Sequence, residues 1–267
     1  HNALDIRRAL YGDQHPDVAA SIEALGLNFH DRGDYAPAIE NLRAALLMRR
    51  ELHPPGHPLL AQSMGNLAWA LMQSGGVAEA AQLQSEVLGM KRRLYGASHP
   101  EIAATLMNLG YTYELSDNYA AARSAYVEAL DMQRRLLGRD APEVAATLAS
   151  LAFVLDRQGK RAAAIDLLRE ALDMRRRTLR SAHPEVAAAG TSLAYWLTDA
   201  GRYEAAQDLV EESLAIRRKA LGPEHPQVAS PLTVQANLLL ARGRAIEARG
   251  IAAEAQRILK LSLPDDS

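Results

Sequence analysis

The sequence predicts an all-α fold, an α-solenoid of tandem helix-turn-helix units, on two observations. The first is a repeat with a period of 42 residues, and periods of roughly 20–50 residues are typical of solenoids. The second is the composition, which is rich in alanine, leucine and arginine and poor in aromatic residues, as in helical proteins. The repeat is marked by a His-Pro pair, once replaced by Ala-Pro, at His15-Pro16, His57-Pro58, His99-Pro100, Ala141-Pro142, His183-Pro184 and His225-Pro226.

Each unit is expected to contain two helices. The first begins at the proline, because a residue without an N–H group suits the first helical position. An acid follows in its first turn, as at Glu101 and Glu185, where it complements the helix dipole. The second helix follows a turn such as "RGDY" at 32–35 and ends in basic residues, usually capped by a glycine such as Gly96. Because such a short pair cannot bury its apolar stripe alone, neighbouring units are expected to stack in a row.

The repeat also predicts the boundaries of the units. Residues 13–267 are expected to form a single solenoid of six units, at about 15–53, 57–95, 99–137, 141–179, 183–221 and 225–263. Residues 1–12 are expected to be the second helix of a leading repeat, since His1 aligns with Arg43, which lies well inside the second helix of the next unit. The first helix of that leading repeat would precede His1.

Charge and composition exclude several classes of partner. Lysine and arginine total 30 and aspartate and glutamate 32, so the net charge of −2 creates no field that attracts nucleic acid or an anionic membrane. The absence of cysteine excludes disulfides and thiolate metal sites. No apolar run approaches the ~20 residues that span a bilayer, and "HNALDIRRAL" does not resemble a signal peptide. We therefore expect a cytoplasmic protein that needs no cofactor, nucleic acid or membrane.

The repeated histidine could be a metal ligand or a helix cap. A residue that recurs at each helix entry favours the cap. The chain has no H-E-x-x-H motif and no carboxylate cluster with ligand spacing, so no metal site is expected. It also lacks the phosphate-binding, dinucleotide-binding and nucleophile-elbow motifs of common enzymes. The sequence therefore predicts a protein that is not an enzyme.

A column of arginines near the end of each second helix allows two interpretations. Its members are Arg8, Arg50, Arg92, Arg134, Arg176 and Arg218, and most have a basic neighbour one residue earlier. In the structural interpretation, each arginine complements the carboxyl end of its helix and lies near the acid that opens the next helix. In the alternative, the arginines form a ridge for RNA, although stacking aromatics are few on these helices.

The third unit carries a family resemblance. Its pattern of Leu106-x-x-Leu109-Gly110-x-x-Tyr113 followed by Ala122-x-x-x-Tyr126 resembles the tetratricopeptide repeat. The period of 42 and the "LG-x-x-HP" junctions resemble the long repeats of kinesin light chains, a form also common in bacterial proteins. The resemblance implies a right-handed array whose first helices line a concave, peptide-binding groove. It does not extend to the carboxylate clamp of some members, because Glu23 and Leu27 stand where that clamp needs lysine and asparagine.

The repeat columns select the residues expected to line this groove. A largely aromatic stripe comprises Leu27, Trp69, Tyr111, Phe153 and Tyr195. Three residues before each stripe residue, a polar column comprises Asn66, Asn108, Ser150 and Ser192, and in the family an asparagine at this place often hydrogen-bonds the ligand's backbone. Further candidates on the first helices are Glu23, Met72, Glu114 and Asp156. In the alternative interpretation, the aromatic rings only pack between adjacent first helices.

The function predicted from these observations is a protein-interaction scaffold. Its groove is expected to bind a peptide or helix with apolar or aromatic anchors and basic flanks, because acidic candidates outnumber basic ones. An alternative is the sensor or regulatory arm of a larger bacterial enzyme, such as a kinase or protease. Self-association through the groove is left open.

Overall fold

A computed structural model describes residues 2–261, and every regular element among them is helical. The leading helix is α1 (Asn2–Tyr11). The first helices of the units are α2 (Pro16–Asp31), α4 (Pro58–Gln73), α6 (Pro100–Leu115), α8 (Pro142–Arg157), α10 (Pro184–Asp199) and α12 (Ala229–Ala241). The second helices are α3 (Tyr35–Leu52), α5 (Val77–Tyr95), α7 (Tyr119–Leu137), α9 (Arg161–Thr178), α11 (Tyr203–Leu221) and α13 (Ala245–Leu261). The prediction of an all-α fold of tandem helix-turn-helix units is confirmed.

The described residues form two compact units, which divide between residues 136 and 137. In the first unit α2 packs on α3 and α4 on α5, and α3 also packs on α4 and α5 on α6. In the second unit the same order recurs from α8 to α13. The expectation of a single solenoid over 13–267 stays a prediction, and residues 262–263 of the sixth predicted repeat lie outside the described residues.

The repeated histidines cap the first helices. The Nδ1 atom of His15 accepts a hydrogen bond from the backbone N–H of Asp17 at 3.2 Å. The Nδ1 atoms of His57, His99, His183 and His225 likewise accept from the backbone N–H two residues later. Each histidine has extended backbone, as a residue before proline should. The capping interpretation is therefore confirmed at all five positions.

The first helix of the sixth repeat departs from the others. It begins as a 3₁₀ turn (Pro226–Val228) before α12 starts. Pro231 explains the difference, because its nitrogen has no hydrogen to donate to the carbonyl of Gln227 four residues earlier. That carbonyl accepts a hydrogen bond from Arg217 of α11.

A glycine sets the distance between the two helices of the third repeat. Gly110 of α6 faces the ring of Tyr126 of α7, which is almost fully buried. A Cβ atom at Gly110 would lie 2.5 Å from Cε1 of that ring. The close approach of α6 and α7 therefore requires glycine at this position.

We expect Gly110→Ala to lower the free energy of unfolding by about 1–3 kcal/mol, because the added methyl group overpacks a filled core. The matched control is Gly65→Ala in α4, where a Cβ atom would meet nothing within 4 Å. This control should be neutral or gain up to about 1 kcal/mol from the lost flexibility of glycine. Urea unfolding followed by circular dichroism measures both, and equal effects would contradict the packing argument.

Candidate functional site

The aromatic stripe is exposed in both units. Trp69 and Tyr111 of the first unit are 46% and 43% exposed, and Phe153 and Tyr195 of the second unit are 41% and 45% exposed. Each of these residues is partly covered by the chain and keeps a large apolar area available for contact. Leu27, in the same column, is half-buried against the core of the second repeat.

Helical geometry explains this exposure. Each ring follows a buried leucine by two residues, as Trp69 follows Leu67 and Tyr111 follows Leu109. Two residues turn an α-helix by about 200°, so a side chain two positions after a core residue points away from the core. We call the surface of the first helices that carries the stripe and the other candidates the candidate face.

Glu23 lies below this face in the first unit, not on it. Its carboxylate is buried and paired with Arg49 of α3, with an Nη2–Oε2 distance of 2.7 Å. The hydroxyl of Ser63 and the side-chain amide of Asn66 also donate to Oε1 of Glu23, at 2.9 and 3.2 Å. The expectation that Glu23 presents an acid to a ligand is therefore corrected, because a buried carboxylate needs a cation and hydrogen-bond donors.

Sequence reasoning missed Arg49 as the partner of Glu23, since the two residues are 26 positions apart on different helices. The sequence signal that could have indicated a special role was the acidic residue at this position, because the equivalent residues of later repeats are uncharged. Glycine, methionine, alanine and threonine occupy the same column in later repeats, at Gly65, Met107, Ala149 and Thr191.

Met72 is also buried and lies between repeats instead of on the surface. Its Sδ atom accepts hydrogen bonds from Thr112 at 2.9 Å and from the amide of Gln84 at 3.4 Å. An apolar thioether fills such a gap well. The expectation that Met72 lines a groove is corrected in the same way as that for Glu23.

The remaining polar candidates divide between the units. In the first unit the side chain of Asn108 is exposed on α6. In the second unit Ser192 is exposed, and its hydroxyl donates to the carbonyl of Ala188, while Ser150 is half-buried. Asn108 is therefore the asparagine that is free to contact a ligand's backbone, because the amide of Asn66 is engaged by Glu23.

The two other acidic candidates have different environments. Glu114 of α6 is half-buried and accepts a hydrogen bond from Tyr126 at 2.9 Å, and burial raises the pKa of its carboxyl. Asp156 of α8 is paired with Arg161 at 2.7 Å, so its charge is balanced within the second unit. Of the three acidic candidates, Glu114 is therefore the one whose carboxylate has no basic partner among the described residues.

The arginine column forms ion pairs between second helices. Four of the six arginines meet a glutamate 36 residues later, in the pairs Arg50–Glu86, Arg92–Glu128, Arg176–Glu212 and Arg218–Glu254. Arg8 is paired instead with Asp13. The expected contact with the acid opening the next first helix belongs instead to the preceding column, as in Lys91–Glu101 at 2.8 Å. Because these arginines have acidic partners, nucleic acid would have to compete with glutamates for them.

The described part of the chain shows neither a metal centre nor a membrane span. Among residues 2–261 no three histidine or acidic side chains converge as a metal site would require. The described helices also include none with the length and apolar character needed to cross a bilayer.

We expect Glu23→Ala to destabilise the fold by about 3–5 kcal/mol, because it leaves the guanidinium of Arg49 buried without its acid. The matched control is Glu79→Ala, which breaks the exposed Arg43–Glu79 pair of 2.7 Å and should cost less than about 1 kcal/mol. Urea unfolding compares the two variants. A loss at Glu23 as small as that at Glu79 would show that the buried pair does not support the fold.

Glu114→Gln should raise the melting temperature at pH 7. Since burial raises the folded-state pKa of Glu114, its charge destabilises the fold above that pKa, and this cost disappears as the pH falls towards the unfolded value of about 4.3. The gain should therefore vanish below about pH 4. Thermal melts between pH 4 and 8 measure it.

Glu79→Gln is the control of opposite sign for this pH series. The hydrogen bond from Arg43 lowers the pKa of Glu79, so its ionised form favours the folded state. Replacing it should lower the melting temperature slightly at pH 7. A melting temperature that falls for both variants would contradict the destabilising charge assigned to Glu114, and one that rises for both would contradict the stabilising charge assigned to Glu79.

The chain is similar to a known family along most of its length. The tetratricopeptide repeat model matches residues 1–51, 25–93, 70–135, 101–177 and 185–260. No curated protein sequence matches the chain significantly.

Solved structures of repeat proteins share the fold. One holds the nearly identical TPR-like repeats of a protein described as a kinesin light chain from Podosopora anserina, with 25% identity and a TM-score of 0.70 over 78% of this chain and 99% of that chain. BtubC (BKLC) from P. vanneervenii is 21% identical with a TM-score of 0.68, over 88% of this chain and 93% of that chain. The apo form of RapI is 14% identical with a TM-score of 0.71, over 98% and 81%. The resemblance inferred from the repeats is thereby confirmed.

Proposed function

Because the chain belongs to the tetratricopeptide repeat family, we propose that it is a protein-interaction scaffold that binds a peptide or helix of a partner protein along the candidate face. Tetratricopeptide repeat proteins generally mediate protein–protein interaction, and their scaffolds are typically non-catalytic. The proposal assigns the binding surface to the concave side that the first helices form in this family.

One observation carries the proposal, which is the exposure of an aromatic ring at the same helical position in successive repeats. Trp69 and Tyr111 supply two rings in the first unit, and Phe153 and Tyr195 supply two in the second. Large exposed apolar side chains in a row are unfavourable in water and mark interaction surfaces. Tryptophan and tyrosine are also the residues that most often dominate binding energy at protein interfaces.

The charges near the rings favour a ligand with apolar or aromatic anchors and basic flanks. In the first unit Glu114 has no basic partner among the described residues, and Asp31 at the end of α2 is largely exposed. A lysine or arginine beside the anchor residues of a ligand would meet these acids. Glu23 and Asp156 do not add to the attraction, because Arg49 and Arg161 balance their charges.

The test is capture of partners from a host lysate by the wild-type chain and by two variants, one in each unit. One variant combines Trp69→Ala with Tyr111→Ala, and the other combines Phe153→Ala with Tyr195→Ala. Truncating an interface hot spot costs about 2 kcal/mol or more, so the affinity of a captured and purified partner should fall at least tenfold for each variant. Quantitative mass spectrometry identifies the partner, and calorimetry measures the affinity.

The matched control removes exposed apolar side chains from second helices. It combines Leu47→Ala in α3 with Leu94→Ala in α5, which are 55% and 50% exposed. Circular dichroism must show unchanged helicity in all variants. The proposal fails if the leucine variant loses the partner as the aromatic variants do, or if the aromatic variants keep it at full affinity.

A further inference from the structure

A column of basic side chains joins each second helix to the first helix that follows. Its members are Arg7, Arg49, Lys91, Arg175 and Arg217, with Gln133 at the remaining position. Arg7, Arg49 and Lys91 donate to a backbone carbonyl ten residues later in the chain, at distances of 3.3, 3.3 and 3.4 Å. Arg217 makes the same contact with the carbonyl of Gln227. We call this set the junction column.

Three members of the junction column are balanced by an acid of the chain itself. Lys91 is paired with Glu101 at 2.8 Å and Arg175 with Glu185 at 3.5 Å, in each case an acid ten residues later. Arg49 has Leu59 at that position and is paired instead with Glu23, 26 residues earlier. An acid either ten residues later or 26 residues earlier therefore balances the charge of the basic side chain.

Arg217 has an acid at neither place. Gln227 stands ten residues later and Thr191 stands 26 residues earlier. The residue is 7% exposed, and its Nε atom has no hydrogen-bond partner among the residues that the structure describes. Burial lowers the pKa of its guanidinium. Burying a cation without an acid is costly, so an anion that reached Arg217 would recover part of that cost.

Arg217 lines an open cavity of about 550 Å³ between α10 and α12. Two of its lining residues, Ser192 and Tyr195, belong to the candidate face. The hydroxyl of Ser230 and the amide of Asn237 also line the cavity and could donate to an anion, whereas the hydroxyls of Thr191 and Thr233 donate to backbone carbonyls of their own helices. Arg217 is the one charged residue among those lining the cavity.

The equivalent position in the first unit shows which group can accompany the arginine. Four periods earlier in the chain, the groups around Arg49 are Glu23, Ser63 and Asn66, which together hold the carboxylate against the guanidinium. In the second unit these three residues are replaced by Thr191, Pro231 and Val234, while the arginine is kept. The replacements remove the carboxylate that Glu23 supplies in the first unit.

We propose that the cavity between α10 and α12 binds a carboxylate from a partner peptide, that of a glutamate side chain, with Arg217 as its ion partner. The assignment to a monoanion follows from the single cation of the cavity, since a doubly charged phosphate would need more positive charge. It rests on the proposed function in that the ligand is a peptide on the candidate face. It concerns one point of contact in the second unit, whereas the basic flanks of the ligand face acids of the first.

The test uses short peptides and does not depend on the natural partner. The two tryptophans of the chain are Trp69 and Trp196, and Trp196 lines the cavity. In a Trp69→Phe background, the fluorescence of Trp196 therefore reports binding there. The probe is acetyl-Leu-Glu-Leu-amide, its neutral control is acetyl-Leu-Gln-Leu-amide, and acetyl-Leu-Leu-Leu with a free carboxyl end tests the other source of a carboxylate. All are titrated at constant ionic strength.

We expect the glutamate peptide to bind at least tenfold more tightly than the glutamine peptide, since only the carboxylate can form an ion pair with the buried guanidinium. Arg217→Gln should bring the ratio of the two affinities close to one. The proposal is overturned if wild type does not discriminate between the peptides, or if Arg217→Gln keeps the discrimination. If only the peptide with a free carboxyl end binds through Arg217, the assignment to a glutamate side chain is overturned.

Thr191→Glu is a second variant that should improve folding. It restores the acid that Glu23 supplies to Arg49, so it should raise the melting temperature and abolish binding of the glutamate peptide. Thr191→Gln is its neutral control and should do neither. A Thr191→Glu variant that melts no higher and still binds the peptide overturns the proposal. If the aromatic variants do not affect partner capture, that result counts against the candidate face. It does not decide whether Arg217 binds the glutamate peptide.

Discussion

Within each unit, a helical hairpin buries its apolar residues by packing against the hairpin that follows, and the other features of the structure depend on this stacking. Small residues allow the approach, as Gly110 does beneath the ring of Tyr126. The proline of each repeat, preceded in five of the six by a capping histidine, starts the first helix at the same register. Because each helix starts at the same place, equivalent side chains recur along the row, whether they are buried or exposed.

The same stacking brings charges from different repeats together. Arginines of the second helices reach glutamates one repeat later, and the junction column reaches the amino-terminal turn of the next first helix. Each buried cation then needs an anion, since desolvation penalises a charge that has none. Arg49 obtains one from Glu23, whereas Arg217 has none within the described residues. Two equivalent positions therefore differ, because the first unit balances this cation with its own acid and the second unit does not.

The repeat also explains why the aromatic residues are exposed. A position two residues after a core leucine faces outward on each first helix, so any ring placed there is exposed. Trp69, Tyr111, Phe153 and Tyr195 occupy that position, where the packing of the fold does not require them. Under the proposed function a ligand covers these rings, so that hydrophobic burial provides affinity while nearby charges select among ligands.

The sequence by itself determined the number and order of the helices, their starting prolines and the histidine caps, and it placed the aromatic rings in one repeat column. These features are local or follow the 42-residue period, so neighbouring residues and repeat columns are enough to read them. It did not show that Glu23 and Met72 are buried or which cation meets which acid. Only the tertiary structure decided those points, because the partners are 10, 26 or 36 residues apart and meet through the packing of different helices. The same holds for Arg217, whose isolation depends on Thr191 and Gln227 occupying two separate places around it.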